Sequence, residues 1–177
     1  LIDECCQYIY EEEIDRDGDH AKQGQVNEEI LTELMTIDFI QKKPPKSTGR
    51  HIFGKKLVNN IISKYSQVSP DNLIRTFCAF TAQSVGENLN KFLNYNASDI
   101  RLIISGGGVH HPILMEDIRN YTGILNFKTS DEYGIPSEMK ESLLMAVLGV
   151  ARIQAMTANM SSVTGARELV VLGNVLD

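Results

Sequence analysis

The stretch from Ile100 to Asp117 constrains the fold of this chain more than any other, because it joins a strand pattern, a glycine turn and a helix start. A β-branched run ends at Ser105, three glycines follow, and Pro112 opens an apolar-periodic segment that continues to about Tyr121. We therefore predict a strand, a tight turn and a helix. Such a turn is typical either of a loop against which another molecule lies or of a plain connection, and the pattern leaves both open.

Helical patterns surround this unit. Asn27 is placed to cap one helix, and Ser69 followed by Pro70 is typical of the start of the longest one. A polar, acidic loop over 11–24 and a proline-containing loop over 41–50 interrupt the helices. The predicted elements are helices over 1–10, 27–35, 52–65, 69–92, 112–121 and 136–155, and strands over 100–105, 125–127 and 169–172.

Two strands separated by a helix predict an α/β fold with parallel pairing. Two or three strands against five or six helices make a sparse, incomplete sheet. The first residue is Leu1, and residues 1–10 resemble the middle of an amphipathic helix without a start signal. We therefore expect the chain to be a fragment of a longer protein, with the missing strands upstream.

The composition argues against several classes of protein. A net charge of −6 without a basic cluster argues against nucleic acid as a partner. No apolar run approaches the roughly 20 residues that span a bilayer, so we expect a soluble protein that does not enter a membrane. The three cysteines, of which Cys5 and Cys6 are adjacent, form neither a disulfide framework nor a metal site. They indicate a reducing compartment, and we expect the cytoplasm.

Two stretches look like known ligand-binding loops, but their spacing argues against both. The segment Gly49–Lys56 nearly spells a P-loop, yet Lys56 stands where a Ser or Thr must supply a hydroxyl to magnesium. Asp15–Asp19 looks like a calcium loop, yet its glycine is fourth rather than sixth. We interpret the first as an ordinary loop and the second as a solvated acidic turn.

The histidines after the triple glycine also have a structural interpretation. His111 occupies the position of the third glycine in a dinucleotide-binding fingerprint, which argues against such a site. His110 and His111 are adjacent, so a regular element cannot direct both side chains to one metal. We predict that they cap a helix or lie at the surface, and we predict no metal site.

Glu141 has two interpretations. On a helix that opens at Pro136, it shares a face with Leu144, Met145 and Leu148, so a carboxylate heads an apolar stripe. A glutamate in the first turn interacts favourably with the helix dipole and needs no further role. Alternatively, the carboxylate lies at a cleft, where it orients or deprotonates a nucleophile.

Five segments in order resemble one family more specifically than any single motif does. The chain resembles the anhydro-N-acetylmuramic acid kinases and the related levoglucosan kinases. The matching segments are DRDGDHAKQG (15–24), PPKSTGR (44–50), SGGGVHHPILM (105–115), DEYGIPSEMKE (131–141) and VTGARELVVLG (163–173).

The resemblance implies an actin-like (ribonuclease-H-like), two-domain sugar-kinase fold with ATP and Mg²⁺ bound between the domains. Residues 1–177 would be the C-terminal part. Water would open the 1,6-anhydro bridge of an anhydro sugar while the freed O6 takes the γ-phosphoryl group. The implied site residues are Glu141 near the attacking water, Gly106, Gly107, Gly108, Val109 and His111 at the nucleotide, and Lys46, Ser47, Thr48, Gly49 and Arg50 in a substrate or cleft loop.

The sequence also departs from the family pattern. His51 stands in place of a usual glutamate, His111 in place of asparagine and Ser142 in place of alanine. The family's phosphate-contacting segment and catalytic aspartate are expected upstream of Leu1. Three functions stay open: a kinase for 1,6-anhydro-N-acetylmuramic acid, a levoglucosan kinase, and a non-catalytic nucleotide- or sugar-binding remnant. A homodimer is one assembly that the resemblance allows.

Overall fold

The computed structural model describes residues 1–175, which form a mixed α/β fold with more helix than strand. The elements are α1 (Ile2–Tyr10), α2 (Asp19–Gln23), α3 (Glu28–Met35), α4 (Asp38–Gln41), α5 (Lys55–Lys64), α6 (Pro70–Phe92), β1 (Arg101–Ile104), α7 (Pro112–Thr122), β2 (Asn126–Thr129), α8 (Lys140–Ile153) and α9 (Ser161–Thr164). Short 3₁₀ turns lie at Arg16–Gly18, Gly107–His110, Ser130–Tyr133 and Ser137–Met139.

Helix α6 is the centre of the core. Its start is as predicted: the Ser69 side chain accepts a hydrogen bond from the Asn72 N–H, and Pro70 occupies the first turn. Phe77 and Phe80 are fully buried along it, and α1, α2, α3 and α7 pack around it. The apolar periodicity therefore reports a helix that is covered on several sides.

The strand, turn and helix predicted after Ile100 are confirmed. β1 and β2 pair in parallel, in a register that runs from Arg101 opposite Asn126 to Ile104 opposite Thr129. Because parallel neighbours need a crossover, α7 connects them. α7 in turn crosses α6 so closely that a Cβ atom at Gly86 would lie 2.6 Å from the Tyr121 carbonyl oxygen.

An ion pair fixes the same crossing. The Arg75 guanidinium donates to both carboxylate oxygens of Asp117, with Nη1 to Oδ2 at 2.5 Å and Nη2 to Oδ1 at 2.9 Å. Asp117 is buried, so this two-pronged pairing compensates a carboxylate that has lost its water. The βαβ unit is thereby attached to the core helix at a defined angle.

The structure corrects several predicted boundaries. The loop predicted over 11–24 contains a 3₁₀ turn and α2, because the Asp15 carboxylate accepts N–H groups at the start of α2. The interpretation of Asp15–Asp19 as a solvated turn was wrong for Asp15, which is buried. α4 was not predicted, and α5 begins at Lys55 rather than at 52.

The C-terminal part differs most from the prediction. The helix predicted from 136 begins only at Lys140, after a 3₁₀ turn, and none of its residues is buried. The strand predicted over 169–172 was wrong. Val170 instead exchanges two hydrogen bonds with a nearby loop, accepting from the Ala158 N–H at 3.2 Å and donating to Asn159 Oδ1 at 2.7 Å. Over residues 1–175 the sheet therefore has two strands.

Among the helices that the structure describes, none is both long enough and apolar enough to cross a membrane.

Candidate functional site

The triple glycine lies at the carboxyl end of β1, the edge where parallel sheets place ligands. Gly106 has φ +90°, a conformation that side chains disfavour, and the 3₁₀ turn Gly107–His110 follows. A Cβ atom built on Gly106 or Gly107 would have no atom within 4 Å. One face of this backbone therefore borders open space and can be approached by another molecule.

A cavity of about 480 Å³ lies on one side of this glycine loop. Gly107, Gly108, His110 and His111 form one wall, and the turn at residues 15–17 faces them. The other charged residues around the cavity are Asp3 and Glu138, so its acidic groups outnumber its single cation, Arg16. Coulomb repulsion disfavours phosphate here, whereas a neutral polar group such as a nucleoside is compatible with these walls.

A second cavity of about 390 Å³ lies on the other side of the same loop and has a different charge. Val109 and His110 border it together with Arg119, Lys128 and Glu132. The Arg119 guanidinium stacks over the Phe127 ring at 4.8 Å, and Lys128 pairs with Glu132. Glu132 balances the charge of Lys128, and Arg119 leaves this cavity with a net positive charge.

His111 ends the loop and begins α7. Its Nδ1 accepts the Leu114 N–H at 3.2 Å, which confirms the predicted helix cap. Its Nε2 lies 3.1 Å from Asp15 Oδ2 and 3.8 Å from the Cys78 sulfur. The residue is 8% exposed, so its ring belongs mainly to the interior.

Asp15 is the residue of this site that sequence reasoning missed. Its carboxylate accepts N–H groups from His20 at 2.9 Å and from Ala21 at 3.0 Å, in addition to the His111 contact. The available signal was its position ahead of α2, where an aspartate caps a helix. The partner at His111 is distant in the sequence, and no local pattern indicates it.

Glu141 lies in the first turn of α8 and borders neither cavity around the glycine loop. Its side chain is 72% exposed and lies 3.3 Å from Lys140 Nζ. A backbone N–H of the helix start, and then Lys140, hold the pKa of this carboxyl below its usual value. The carboxylate is therefore ionised at neutral pH. Glu138, in the preceding turn, is the glutamate that borders the acidic cavity.

The loop 46–50 borders neither of the two cavities beside the glycine loop. The Lys46 ammonium donates to the carbonyl oxygens of Phe39 at 2.9 Å and Ile40 at 3.3 Å and to the amide oxygen of Asn88. Burial, and then the charges of other lysines, lower the pKa of Lys46. With Thr48 it borders a largely apolar cavity of about 640 Å³, while Ser47, Gly49 and Arg50 are exposed and border none of the cavities described above.

Within residues 1–175, no group of three or more His, Cys, Asp or Glu side chains is arranged to hold a metal ion.

Comparison with known proteins identifies the family. The family model described as anhydro-N-acetylmuramic acid kinase matches residues 1–177. Among curated proteins, the anhydro-N-acetylmuramic acid kinase of Clostridioides difficile (strain 630) is 36% identical over 175 residues, which cover 99% of this chain and 46% of that protein. The proteins of the same name from Bacillus cereus (strain 03BB102) and Bacillus thuringiensis (strain Al Hakam) are each 38% identical over 178 residues, with the same two shares. The chain thus spans about half the length of the relatives it matches, and it belongs to the anhydro-N-acetylmuramic acid kinase family.

Proposed function

We propose that this chain is the C-terminal part of an ATP-dependent anhydro-sugar kinase whose substrate is 1,6-anhydro-N-acetylmuramic acid and whose product is N-acetylmuramic acid 6-phosphate. The observation that carries the proposal is the open-faced glycine loop between two cavities, in a chain that matches this family over residues 1–177. The similar proteins carry the name anhydro-N-acetylmuramic acid kinase, which favours this sugar over levoglucosan and favours a catalyst over a binding remnant.

The residues around the loop fit the nucleoside part of ATP. Gly106, Gly107 and Gly108 would contact it through their backbone, with Val109 and the end of the loop at His111 beside them. Arg119 and the Lys128–Glu132 pair give the other cavity a net positive charge, which favours the phosphate-bearing end on that side of the loop, away from the acidic cavity. ATP would supply the phosphoryl group, and Mg²⁺ would neutralise charge on its phosphates.

The reaction balances as a hydrolysis coupled to a phosphoryl transfer. A water oxygen forms a bond to the anomeric carbon of the sugar, and the bond from that carbon to O6 breaks. O6 then forms a bond to the γ-phosphorus as ADP leaves. The proton of the attacking water passes to a carboxylate, and we assign that role to Glu141, which is ionised and exposed. Positioning of the reactants supplies much of the remaining catalysis.

The finer aspects of this proposal remain predictions. They include the actin-like arrangement of two domains, the part of the loop 46–50 in the substrate cleft, and a homodimer. A cytoplasmic location is also a prediction, and it rests on the three cysteines, which are free and buried in the described structure.

A coupled assay of ADP release by the complete gene product tests the proposal. We expect turnover with ATP, Mg²⁺ and 1,6-anhydro-N-acetylmuramic acid. Turnover of levoglucosan alone would reassign the substrate. ADP binding without turnover of either sugar would indicate the non-catalytic remnant.

Replacement of Glu141 by Gln tests the assigned base. We expect kcat to fall by about a hundredfold or more, because an amide cannot accept the proton of the attacking water. Stability should be nearly unchanged, since the side chain is exposed. Glu116→Gln is the matched control, an exposed glutamate on α7 that borders neither cavity, and it should keep the wild-type kcat. Equal activity of the two variants would return Glu141 to a helix-dipole role.

A further inference from the structure

The Asp15 carboxylate joins two segments of the chain that are far apart in sequence. Its three hydrogen-bond partners are the backbone N–H groups of His20 and Ala21 and the ring Nε2 of His111. The residue is 3% exposed, so water does not replace any of these partners. A buried carboxylate with three donors is a strongly directional anchor. It fixes the end of the glycine loop relative to the start of α2.

The hydrogen bonds also determine which ring nitrogen of His111 carries the proton. Nδ1 accepts the Leu114 N–H, so in the neutral ring Nδ1 is unprotonated and the proton is on Nε2. That proton is donated to Asp15. The cap of α7 and the contact to Asp15 therefore require the same tautomer and support each other.

Packing holds the same ring in place. Gly18 has φ +70°, and a Cβ atom there would lie 3.1 Å from His111 Cε1 and 3.1 Å from Ile113 Cγ1. The Cys78 sulfur lies 3.8 Å from Nε2 on another side, and burial raises the pKa of its thiol, so it stays protonated beside the ring. The ring thus has one orientation, which is set by the turn 15–18 and by α6.

We propose that Asp15 is a positioning residue for the nucleotide: through His111 it holds the glycine loop, Gly106–His110, in the geometry that nucleotide binding requires. This inference rests on the proposed function, because it assigns the loop to the nucleotide. Asp15 also borders the acidic cavity, so the test must separate its action through His111 from a direct effect on that cavity.

The variant Asp15→Asn tests the anchor with little change of shape. All three partners of Asp15 are donors, so the amide group must direct its own N–H atoms at one of them. If the NH₂ group takes the place of Oδ2, it faces both the Ala21 N–H and His111, so the ring adopts the other tautomer and loses the cap to Leu114. If the NH₂ group takes the place of Oδ1, the His20 N–H is left without an acceptor. Both arrangements weaken the anchor at the end of the loop.

His111→Asn is the second single variant, and the change at Asp15 is repeated in this variant. The shorter amide keeps an oxygen that can cap α7 but ends before the position of Nε2, so the link to Asp15 is removed while the cap stays. The double-mutant cycle in the complete gene product separates action through His111 from any other effect of Asp15. Glu33→Gln is the matched control, since it changes a carboxylate that accepts from Lys64 and Tyr65, and Glu33 borders neither cavity beside the loop.

We expect Asp15→Asn to raise KM for ATP about tenfold, with KM for the sugar and kcat within about twofold of wild type, because one buried hydrogen bond is lost. In the His111→Asn background the same change should raise KM for ATP by less than about twofold. Glu33→Gln should change neither constant. An equal rise of KM in both backgrounds, or no rise in either, would overturn the proposal.

Two further measurements separate this inference from the proposed function. In ¹⁵N spectra of the histidine rings, assigned by comparison with His111→Asn, wild-type Nε2 should be protonated and Nδ1 should not. The opposite tautomer would overturn the inference even if Asp15→Asn does not fold. If no sugar is turned over, the proposed function fails. In that case ADP is titrated into the wild type, Asp15→Asn, His111→Asn and the double variant. The Kd for ADP then tests the role of Asp15 by itself, with the same expected changes as for KM.

Discussion

Residues 1–124 and residues 140–175 use apolar side chains in opposite ways. In the first region, apolar residues from α1, α3, α5, α6 and α7 meet in one cluster, and all the buried hydrophobic residues of the described chain lie between Ile2 and Ile124. In the second region, α8 is rich in apolar residues, yet none of them is buried. Its exposed residues include Leu143, Leu144, Met145, Val147, Val150 and Ile153.

The difference shows that an apolar pattern predicts a helix more reliably than it predicts burial. α6 is covered because four helices pack around it, and its glycine at position 86 admits α7 at close range. α8 contacts mainly the 3₁₀ turn Ser137–Met139 that precedes it. The free energy of burial is gained only where a partner surface excludes water.

The largest expected effect is a cavity in the core. Phe77→Ala should lower the free energy of unfolding by about 3–5 kcal/mol, because a fully buried ring is removed among packed neighbours. Leu144→Ala on α8, where the leucine is 50% exposed, should cost less than about 0.5 kcal/mol. Urea denaturation of the 177-residue chain measures both. A similar loss for both variants would mean that α8 is packed, and the contrast would fail.

Replacing one glycine by alanine in each region should have smaller effects on stability, and these effects should have opposite signs in the two regions. Gly86→Ala should cost about 1–3 kcal/mol, because the new methyl group would lie within 2.9 Å of three Tyr121 atoms and push α6 and α7 apart. Gly149→Ala on α8 should raise helix stability by up to about 1 kcal/mol, because no atom lies within 4 Å of the added Cβ. Urea denaturation and circular dichroism test the pair. A loss at Gly149 would indicate a neighbour on α8.

The least disruptive probe is thiol labelling. Burial raises the pKa of the Cys5 and Cys6 thiols to about 12, so in the folded chain they stay protonated and unreactive at pH 8. Met145→Cys on α8 introduces an exposed thiol. We expect iodoacetamide to modify this introduced thiol at least about a hundredfold faster than the native cysteines at pH 8, and all of them rapidly in urea.

The pH dependence of stability follows from the same native thiols. Their folded pKa is raised, so their contribution is complete below the unfolded pKa of about 8.5 and is lost as the pH rises toward 12. The urea midpoint of the chain should therefore fall above about pH 9.

For the labelling experiment, equal rates for core and α8 thiols at pH 8 would contradict the contrast between the two regions.

Local signals in the sequence predicted the elements that are stabilised locally. The cap at Asn27, the Ser69–Pro70 start and the strand, turn and helix after Ile100 depend on neighbours within a few residues, and the structure confirms them. The strand predicted over 169–172 was wrong because a β-rich run needs a partner strand to form a sheet. In the described chain, Val170 donates instead to the side chain of Asn159 in a loop.

The candidate site was predictable only in part. The glycine loop was visible because glycine itself is the signal. The link between Asp15 and His111 joins residues 96 positions apart, and Lys46 finds its acceptors on α4 and α6. Such partners are chosen by tertiary packing, which no local period encodes. The roles of Glu141 and of the loop 46–50 in catalysis remain predictions.

The two-stranded sheet has a consequence for assembly. Over residues 1–175, β1 and β2 pair with each other alone, so the outer edge of β1 has no partner strand. On β2, the N–H groups of Phe127 and Thr129 instead donate to Leu125 O and to the Glu132 side chain. Ile103 of β1 is also half exposed. Such an edge is a template that accepts any extended segment of matching register, whether from the same polypeptide or from a neighbouring one. The glycine loop follows β1 directly, so a segment that paired with this edge would also restrict the motion of the loop.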